Sequence, residues 1–168
     1  MACSQTLAGI ARDCSANMGG IKTVYIANKA DVTSLTVTSG VVTAITMASS
    51  KKFYKYVFAP FTSSMTSNWQ VSAENGTKFV QTELTMVFNK MDATKRLEIV
   101  ALAQTEAVVV VEDNNGTQWV LGYDEGVQLS SGDGQTGVNR GDRNGYTVVL
   151  QDNSAELPMT CTATVPTT

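Results

Sequence analysis

The chain has 168 residues, of which 43% are hydrophobic and 16% are charged, and its formal net charge is −3. This length suits one domain that buries a substantial core. The hydrophobic content excludes a disordered chain, and the scarcity of lysine and arginine excludes a nucleic-acid-binding surface coated with basic side chains. No stretch reaches the roughly 18–20 apolar residues of a membrane span, and the first residues lack a secretory signal pattern. We therefore expect a soluble, intracellular protein with no membrane partner.

The chain contains no histidine. This absence excludes catalytic triads of the Ser-His-Asp and Cys-His types and metal sites that use histidine ligands. Its cysteines, Cys3, Cys14 and Cys161, are odd in number and lack the paired spacing of a disulfide framework or a zinc site. Paired carboxylates of the glycosidase type remain an alternative, but no acidic pair has a sequence context that favours it. We expect no enzymatic activity, no cofactor and no metal ion.

Residues 1–20 differ from the rest of the chain because they are small, weakly amphipathic and end in two glycines. We interpret them as an N-terminal arm and residues 21–168 as a single β-rich domain. From Ile21 onward, β-branched residues recur with a period of two. This pattern predicts strands in residues 21–28 and on both sides of a turn at Ser39-Gly40.

Residues 51–61 mix aromatic side chains with three lysines and predict a strand with one packed face. The strand should end near Pro60, because proline cannot donate a ladder hydrogen bond. The polar segment that follows has too few regularly spaced apolar residues to define an element. We therefore predict a long loop near residues 60–79, with a protruding hairpin as the alternative.

One helix is predicted, in about residues 93–104. It follows a strand pattern in residues 82–88, and Asp92 lies where an N-cap belongs. At helical spacing, the apolar residues that share a face are Ala93, Leu97, Val100 and Ala101. We expect this face to lie on a β-sheet.

The C-terminal third again predicts strands. Two apolar segments flank Asn114-Asn115-Gly116, and an Asn-Gly corner supplies the positive φ values that a tight hairpin requires. Residues 130–145 hold five glycines and no apolar periodicity, so we predict a Gly-rich surface loop there. Strand patterns in residues 146–150 and 160–165 complete the sheet. The fold class is therefore mainly β, a sandwich or barrel with one flanking α-helix.

Several short motifs match known signatures without the context that these require. The glycines in residues 132–137 match G-x-G-x-x-G, but a polar loop follows instead of a helix, so we expect no nucleotide site. Residues 140–142 read Arg-Gly-Asp within the same loop. Asn75-Gly76-Thr77 and Asn115-Gly116-Thr117 match the glycosylation acceptor, but we interpret both as hairpin corners.

Charge is unevenly divided along the chain. Residues 1–104 carry ten basic and six acidic side chains, net +4, whereas residues 105–168 carry two basic and nine acidic side chains, net −7. If the two parts form different surfaces, unlike patches on neighbouring copies attract each other and favour head-to-tail association into a ring or tube. The alternative is that the charges balance locally within the fold.

Residues 82–126 carry a resemblance to a known family. Their order of strand, helix and Asn-Gly hairpin is similar to the core of tail-tube-like structural proteins of bacterial viruses. The strand after the Gly-rich loop, in residues 142–150, resembles the last hairpin of these proteins. Residues 19–28 and 41–47 resemble virion structural proteins of phages of Bacteroides and its relatives. These architectural patterns cover most of the chain from Gly19 onward and include no catalytic signature.

The resemblance implies a virion structural protein that is assembled in the cytoplasm of a bacterial host. In this family six copies close their sheets into a ring with a continuous inner β-barrel, and stacked rings form a tail tube that conducts DNA. Other virion proteins would be further partners. The lumens of such tubes are generally acidic, and an acidic wall repels phosphates so that DNA slides without tight binding. The resulting candidates for lumen-facing residues are Asp113, Asp124 and Glu125.

In these families an N-terminal arm and a long hairpin loop make the contacts between rings. By position, residues 1–20 and 60–79 would take these roles here. The candidates for contacts between subunits are Trp69, Phe61, Lys51 and Lys52. Among them Trp69 is the candidate anchor, because large aromatic side chains dominate protein interfaces.

Two other kinds of function remain open. A head-to-tail ring, capsid-decoration or head-fibre protein of a phage differs from a tail tube in whether the acidic hairpin lines a lumen. A carbohydrate-binding surface module is a more distant alternative, because it needs a platform on which sugars stack. The aromatic residues that could form this platform are Trp69, Trp119, Tyr54 and Tyr56.

Overall fold

The computed structural model describes residues 7–168, so the first six residues of the predicted arm, including Cys3, lie outside the described part of the chain. The described residues form eleven β-strands and one α-helix, which confirms the mainly β fold class. The strands are β1 (Ile21–Asn28), β2 (Val32–Thr38), β3 (Val41–Met47), β4 (Tyr54–Val57), β5 (Ser64–Ser72), β6 (Thr77–Asn89), β7 (Ala107–Asp113), β8 (Gln118–Leu121), β9 (Gln128–Gln135), β10 (Gly145–Ser154) and β11 (Met159–Cys161). The helix α1 comprises Ala93–Ala103.

The strands form two sheets that pack against each other as a sandwich. The larger sheet has seven strands in the order β2-β3-β11-β8-β7-β1-β4, and the smaller sheet has four in the order β5-β6-β10-β9. Neighbouring strands are antiparallel except β3 and β11, which run parallel. In the larger sheet, strands distant in sequence lie side by side, as the pairing of Ile26 with Val109 shows.

The core has two clusters because strand β7 is buried on both faces. Val109 and Val111 belong to the cluster between the two sheets, together with residues of β6 and β10. Val108 and Val110 point to the opposite face, where they belong to a second cluster that includes Phe53. Successive side chains of a strand alternate between faces, so a strand buried on both faces needs a continuous apolar run. This explains the four consecutive valines.

The tip of the hairpin between β7 and β8 holds the end of the arm. Residues 7–20 are exposed. Asn115 Nδ2 donates to the Met18 carbonyl oxygen at 2.9 Å, and Asn115 Oδ1 accepts from the Met18 N–H at 2.8 Å. Asn114 Nδ2 donates to the Gly19 carbonyl oxygen at 2.7 Å. The Asn115 amide therefore pairs with the arm as a neighbouring strand would, and it fixes the arm's direction at Met18.

Helix α1 begins at its predicted N-cap. The Asp92 carboxylate accepts a hydrogen bond from the Lys95 N–H at 2.8 Å, which is the N-cap interaction expected for aspartate. Lys95 Nζ also lies 2.7 Å from the same carboxylate. These contacts lower the pKa of Asp92.

The face of helix α1 that packs on the core differs from the prediction. Leu102 is buried and Ile99 packs against the cluster between the sheets. Leu97 and Val100, which were expected to be buried, are exposed. Helix α1 has two apolar stripes along its surface. The segments that connect it to β6 and β7 determine which stripe faces the core, and periodicity alone does not contain this information. The prediction of a flanking helix is confirmed, and the predicted face was wrong.

Most of the loop predicted near residues 60–79 is a hairpin. Strands β5 and β6 pair from Ser64 with Thr85 to Ser72 with Thr77. The loop prediction is therefore wrong for most of this segment, and the alternative of a protruding hairpin is confirmed. The strand β5 lacks an apolar pattern because its side chains are mostly exposed. Strand β4, which precedes β5 in sequence and belongs to the larger sheet, is shorter than the strand predicted in residues 51–61.

The Gly-rich loop predicted for residues 130–145 begins as strand β9. This strand continues to Gln135, so the loop comprises only residues 136–144. A Cβ atom added at Gly134 would lie 2.9 Å from Cε1 of Tyr146, so the close approach of that ring requires glycine. Glycine therefore serves the packing between β9 and β10, and the prediction of a loop from residue 130 was wrong.

Candidate assembly surface

The smaller sheet has one face in the core and one face exposed to solvent. Core residues such as Leu84 and Leu150 alternate with residues of the exposed face, which we call the outer face. The outer-face residues are Ser64, Thr66, Asn68, Gln70 and Ser72 of β5, Thr77, Phe79, Gln81, Glu83, Thr85, Val87 and Asn89 of β6, Thr147, Val149, Gln151 and Asn153 of β10, and Gln128, Ser131, Asp133 and Gln135 of β9.

The outer face is polar and carries little charge. Its charged strand residues are Glu83 and Asp133, and none of its strand residues is basic. Arg143 reaches the border of the face from the adjoining loop, where its Nη2 donates to Thr147 Oγ1 at 2.6 Å. Hydroxyl and amide groups make up most of the surface. Such a face offers few cations to a phosphate backbone.

The two edges of the smaller sheet can accept further strands. Within residues 7–168, β5 and β9 each have a neighbouring strand on one side only. Because β5, β6, β10 and β9 are successively antiparallel, the two edge strands run in opposite directions. Identical copies placed side by side around an axis therefore bring β9 of one copy antiparallel to β5 of the next. The sheet can extend from copy to copy while keeping its strand alternation.

The two edges are also offset along the strand direction. Strand β5 lies beside residues 77–85 of β6. The pairing of β9 with β10 places β9 at the level of residues 83–89 of β6. A sheet built from such units is sheared, and strands of a sheared sheet tilt relative to the axis when the sheet closes into a barrel.

The tip of the β5–β6 hairpin exposes apolar side chains. Trp69 is 44% exposed, and Val71 beside it is also exposed. Lys78 Nζ lies 4.4 Å from the centroid of the Trp69 ring, which is within the range of a cation–π interaction. Exposed apolar groups that gather on one protruding element are typical of a contact surface.

Asp113, the first of the predicted lumen-facing acids, has a local structural role. Its Oδ1 accepts hydrogen bonds from the Asn115 and Thr117 N–H groups, each at 2.9 Å. Its Oδ2 accepts from Trp119 Nε1 at 3.2 Å. Both oxygens are therefore engaged in the turn between β7 and β8.

Asp124 and Glu125 lie in an exposed loop that is distant from Asp113. The loop adjoins the first residue of β7, where Val127 pairs with Ala107. Asp113 is the last residue of that strand, so the two sites are about 20 Å apart along β7. The structure therefore does not gather the three acids, and their lumen-facing role stays a prediction.

Glu125 is the member of this set that lies beside the outer face. It lines a shallow depression together with Gln128 and Gln151, which are outer-face residues of β9 and β10. Glu83 and Asp133, which the sequence analysis did not select, lie on the outer face itself. The alternation of Glu83 with its buried neighbours along β6 is the sequence signal that could have identified it.

Asp152 is a buried carboxyl that the sequence analysis also missed. Its Oδ2 accepts a hydrogen bond from the Gly122 N–H at 3.0 Å, and its Oδ1 has no hydrogen-bond partner among residues 7–168. Burial raises the pKa of Asp152, and the charges of Asp124 and Glu125 act in the same direction. The Gly122 N–H and the Lys29 ammonium oppose this shift without cancelling it.

The four residues predicted to make contacts between subunits lie at the surface on separate segments. Phe61 is 92% exposed and has a φ of +62°, an uncommon conformation for a bulky residue. Trp69 lies on the β5–β6 hairpin. Lys51 forms an ion pair with Asp31 at 3.3 Å, and Lys52 is exposed beside it in the β3–β4 connection. Their roles in subunit contacts stay predictions.

The four aromatic residues considered as a sugar platform are not assembled into one. Tyr54 and Tyr56 line a cavity of about 420 Å³ between β4 and α1, and neither Trp69 nor Trp119 lines it. The Tyr56 hydroxyl donates to the Glu98 carboxylate, and burial together with this bond raises the pKa of Tyr56. Because the tryptophans lie on β5 and β8, the proposed four-residue platform is not formed.

Residues 7–168 contain neither a cluster of metal ligands nor a membrane-spanning helix. In that range no three acidic or cysteine side chains lie close enough together to hold a metal ion. No helix of the described chain has the length and apolar character needed to cross a membrane. Cys14 is exposed and Cys161 is buried, and both are free thiols.

Comparisons with known proteins give little further information. No protein-family model matches the chain, and no curated protein sequence matches it. Among solved structures, one chain from a structure described as "Virion of native gene transfer agent (GTA) particle" is similar to 63% of this chain and to 88% of its own length. The sequence identity is 11% and the TM-score is 0.40.

Proposed function

We propose that the chain is a virion structural protein of a bacterial virus, a tail-tube subunit whose copies assemble into rings and stacked rings that conduct DNA. The observation that carries the proposal is the smaller sheet, whose two open edges run in opposite directions. In the proposed ring, β9 of each copy pairs with β5 of the next. About six copies, as in the family that the chain resembles, would close a continuous inner barrel.

The outer face would line the lumen of this barrel. Its strand residues offer DNA two carboxylates, from Glu83 and Asp133, and no cation. Hydroxyl and amide groups keep their hydration, and carboxylates repel phosphates over about a Debye length, which is roughly 8 Å at physiological salt. DNA would therefore pass without tight binding. Asp113, tied into its turn, would contribute little to this wall.

The arm and the β5–β6 hairpin would make the contacts between rings and with other virion proteins. Both project exposed apolar side chains, such as Ile10 on the arm and Trp69 on the hairpin. The hydrogen bonds of Asn115 to Met18 would set the direction in which the arm leaves its own subunit. Because the end of the arm is already held in one orientation, the arm loses less conformational entropy when it binds a neighbouring subunit.

Cross-linking tests the edge-to-edge contact. Cysteine is introduced at Thr66 in β5 and at Ser131 in β9, in a variant whose Cys3 and Cys14 are replaced by serine, and the assembled protein is treated with a short bismaleimide. Because the proposed contact is head-to-tail, the variant with both cysteines yields a ladder of covalent multimers that stops at the number of subunits in a ring. Each variant with only one of the two introduced cysteines is the matched control and yields dimers at most, because the remaining Cys161 is buried.

Negative-stain microscopy of the same material completes the test. Rings or tubes with a hole of roughly 20 Å or more, wide enough for duplex DNA, support the conduit. Rings that never stack favour a head-to-tail connector. A monomer at every concentration, with no ladder, contradicts the proposed self-assembly and leaves a capsid-decoration or head-fibre role.

A charge-reversal experiment tests the lumen wall. In Glu83→Lys combined with Asp133→Lys, assembled tubes should retain DNA at low salt, and the retention should fall steeply as salt is raised. The matched control is Glu98→Lys combined with Glu156→Lys, which makes the same change of charge at exposed positions off both the outer face and the β5–β6 hairpin. Equal DNA retention by the two double variants would contradict the assignment of the outer face to the lumen.

A further inference from the structure

The chain contains three Asn-Gly pairs, which the structure places in different environments. Asn75-Gly76 and Asn115-Gly116 are both followed by threonine, so their local sequences are the same, and the third pair is Asn144-Gly145. An asparagine followed by glycine is prone to spontaneous deamidation, because the glycine N–H reaches the side-chain amide without obstruction by a Cβ atom. The reaction needs a side chain and a glycine nitrogen that are free to approach each other.

The pair Asn115-Gly116 is held in place. Three hydrogen bonds fix the Asn115 amide, two of them to the Met18 backbone and one to Asn17 Oδ1 at 2.9 Å. The Gly116 N–H donates to the Asp113 carbonyl oxygen at 3.1 Å. Both reacting groups are therefore engaged elsewhere.

The pair Asn144-Gly145 is also held. Gly145 is buried and begins β10, where it lies between Asn89 of β6 and Gln135 of β9. Asn144 Oδ1 accepts a hydrogen bond from the Met91 N–H at 3.2 Å. Attack by the Gly145 nitrogen requires the end of this strand to open first.

The pair Asn75-Gly76 lies at the exposed tip of the β5–β6 hairpin. Asn75 contributes its backbone N–H to a bond with Ser72 Oγ at 3.3 Å. Within residues 7–168, neither the Asn75 side chain nor the Gly76 N–H has a hydrogen-bond partner. A Cβ atom placed on Gly76 would meet nothing within 4 Å, so the turn has room to change its shape.

We infer that Asn75 is a site of spontaneous deamidation, whereas the identical tripeptide at Asn115 is protected by the fold. The Gly76 nitrogen attacks Cγ of Asn75 and forms a C–N bond. The Cγ–Nδ2 bond breaks, and ammonia leaves with the proton that the glycine nitrogen gives up. Water then opens the resulting succinimide to aspartate or isoaspartate. The product adds a carboxylate beside Glu74 at the hairpin tip.

Peptide mapping by mass spectrometry tests this inference on the full chain, incubated at mildly alkaline pH over days. Asn75 should deamidate at least about tenfold faster than Asn115 and Asn144, because these two must first open locally. The same measurement in concentrated urea is the matched control, since it removes the fold and should bring Asn75 and Asn115 to similar rates.

A second control identifies the source of the protection. In Asn17→Ala combined with Met18→Pro, which removes an Asn17 acceptor and the Met18 N–H donor, deamidation of Asn115 should accelerate while Asn75 is unchanged. Equal rates at Asn75 and Asn115 in the folded chain would overturn the inference. A rate difference that persists in urea would also overturn it, because the cause would then lie outside the fold.

Discussion

The two sheets of this domain bury their residues in different ways. In the middle of the larger sheet, both faces are covered, so that the consecutive valines of β7 all lie in the core. In the smaller sheet, one face is covered and the outer face is polar and open. The comparison separates two tasks, because a sheet buried on both faces supplies stability whereas a half-buried sheet presents a surface to partners.

The largest expected effect tests this division with one substitution made in both places. Phe53→Ala removes a fully buried ring from the cluster on the larger sheet and should lower the free energy of unfolding by about 3–5 kcal/mol. Phe79→Ala removes a ring that is 40% exposed on the outer face and should cost less than about 1.5 kcal/mol. Urea denaturation followed by circular dichroism measures both. Similar losses would contradict the division between the sheets.

A second pair of variants sharpens the comparison at the helix that flanks the sheets. Leu102→Ala should cost about 2–3 kcal/mol, because this side chain packs in the cluster between the sheets. Leu97→Ala should cost less than about 0.5 kcal/mol, because Leu97 is 63% exposed. Thermal unfolding distinguishes them. The reverse order would support the helix face that periodicity predicted.

A third comparison concerns the acids at the two ends of β7. Asp113→Ala removes the acceptor of three hydrogen bonds in the β7–β8 turn and should cost about 1–2 kcal/mol. Asp124→Ala, in the exposed loop at the other end, should change stability by less than about 0.5 kcal/mol. Chemical denaturation of the unassembled chain provides the measurement. A negligible effect at Asp113 would mean that its oxygens are free to serve another role.

The smallest expected effect is the pH dependence of folding stability that comes from Asp152, a buried residue on the core-facing side of the smaller sheet. Its pKa is raised in the folded chain, so its proton is held more tightly there than in the unfolded chain. The carboxyl therefore favours folding below its ordinary pKa of 3.8, and this contribution is lost as pH rises through the raised pKa. In Asp152→Asn the contribution is absent at every pH.

Stability curves measured across acidic to neutral pH check this sign. The stability of Asp152→Asn relative to the unmodified chain should increase as pH rises, because only the unmodified chain then carries the buried charge. Asp92 and Asp142, whose pKa values are lowered, also make stability depend on pH. Their contributions are the same in both chains and cancel from the difference in stability between them. A difference that stays constant with pH would show that Asp152 titrates as it does in the unfolded chain.

Much of the fold could be predicted from local patterns. The Ser39-Gly40 turn, the Asp92 cap and the Asn-Gly turn after β7 are all present, because each depends on residues next to one another in sequence. The face of α1 and the strand character of β9 could not be predicted in the same way. They depend on which distant residues pack beside them, such as Tyr146 against Gly134.

The candidate site was harder to predict than the fold. Charge and the resemblance to a family pattern pointed to Asp113, Asp124 and Glu125, but strand pairing decides which acids share a surface. Glu83 and Asp133 are fifty residues apart in sequence and come to one face only because β10 pairs with both β6 and β9. A pattern within one segment does not contain that information.

The parallel pairing of β3 with β11 has a consequence for the time course of folding. Strand β11 lies between β3 and β8, so residues 41–42, which pair with β2 on one side, gain their second neighbour only when residues 160–161 are in place. Contacts of such sequence separation must overcome a large loop-closure entropy before they contribute stability, and they make folding slow. During synthesis, the β2–β3 hairpin therefore joins the rest of the larger sheet only after nearly the whole domain, including β11, has been translated.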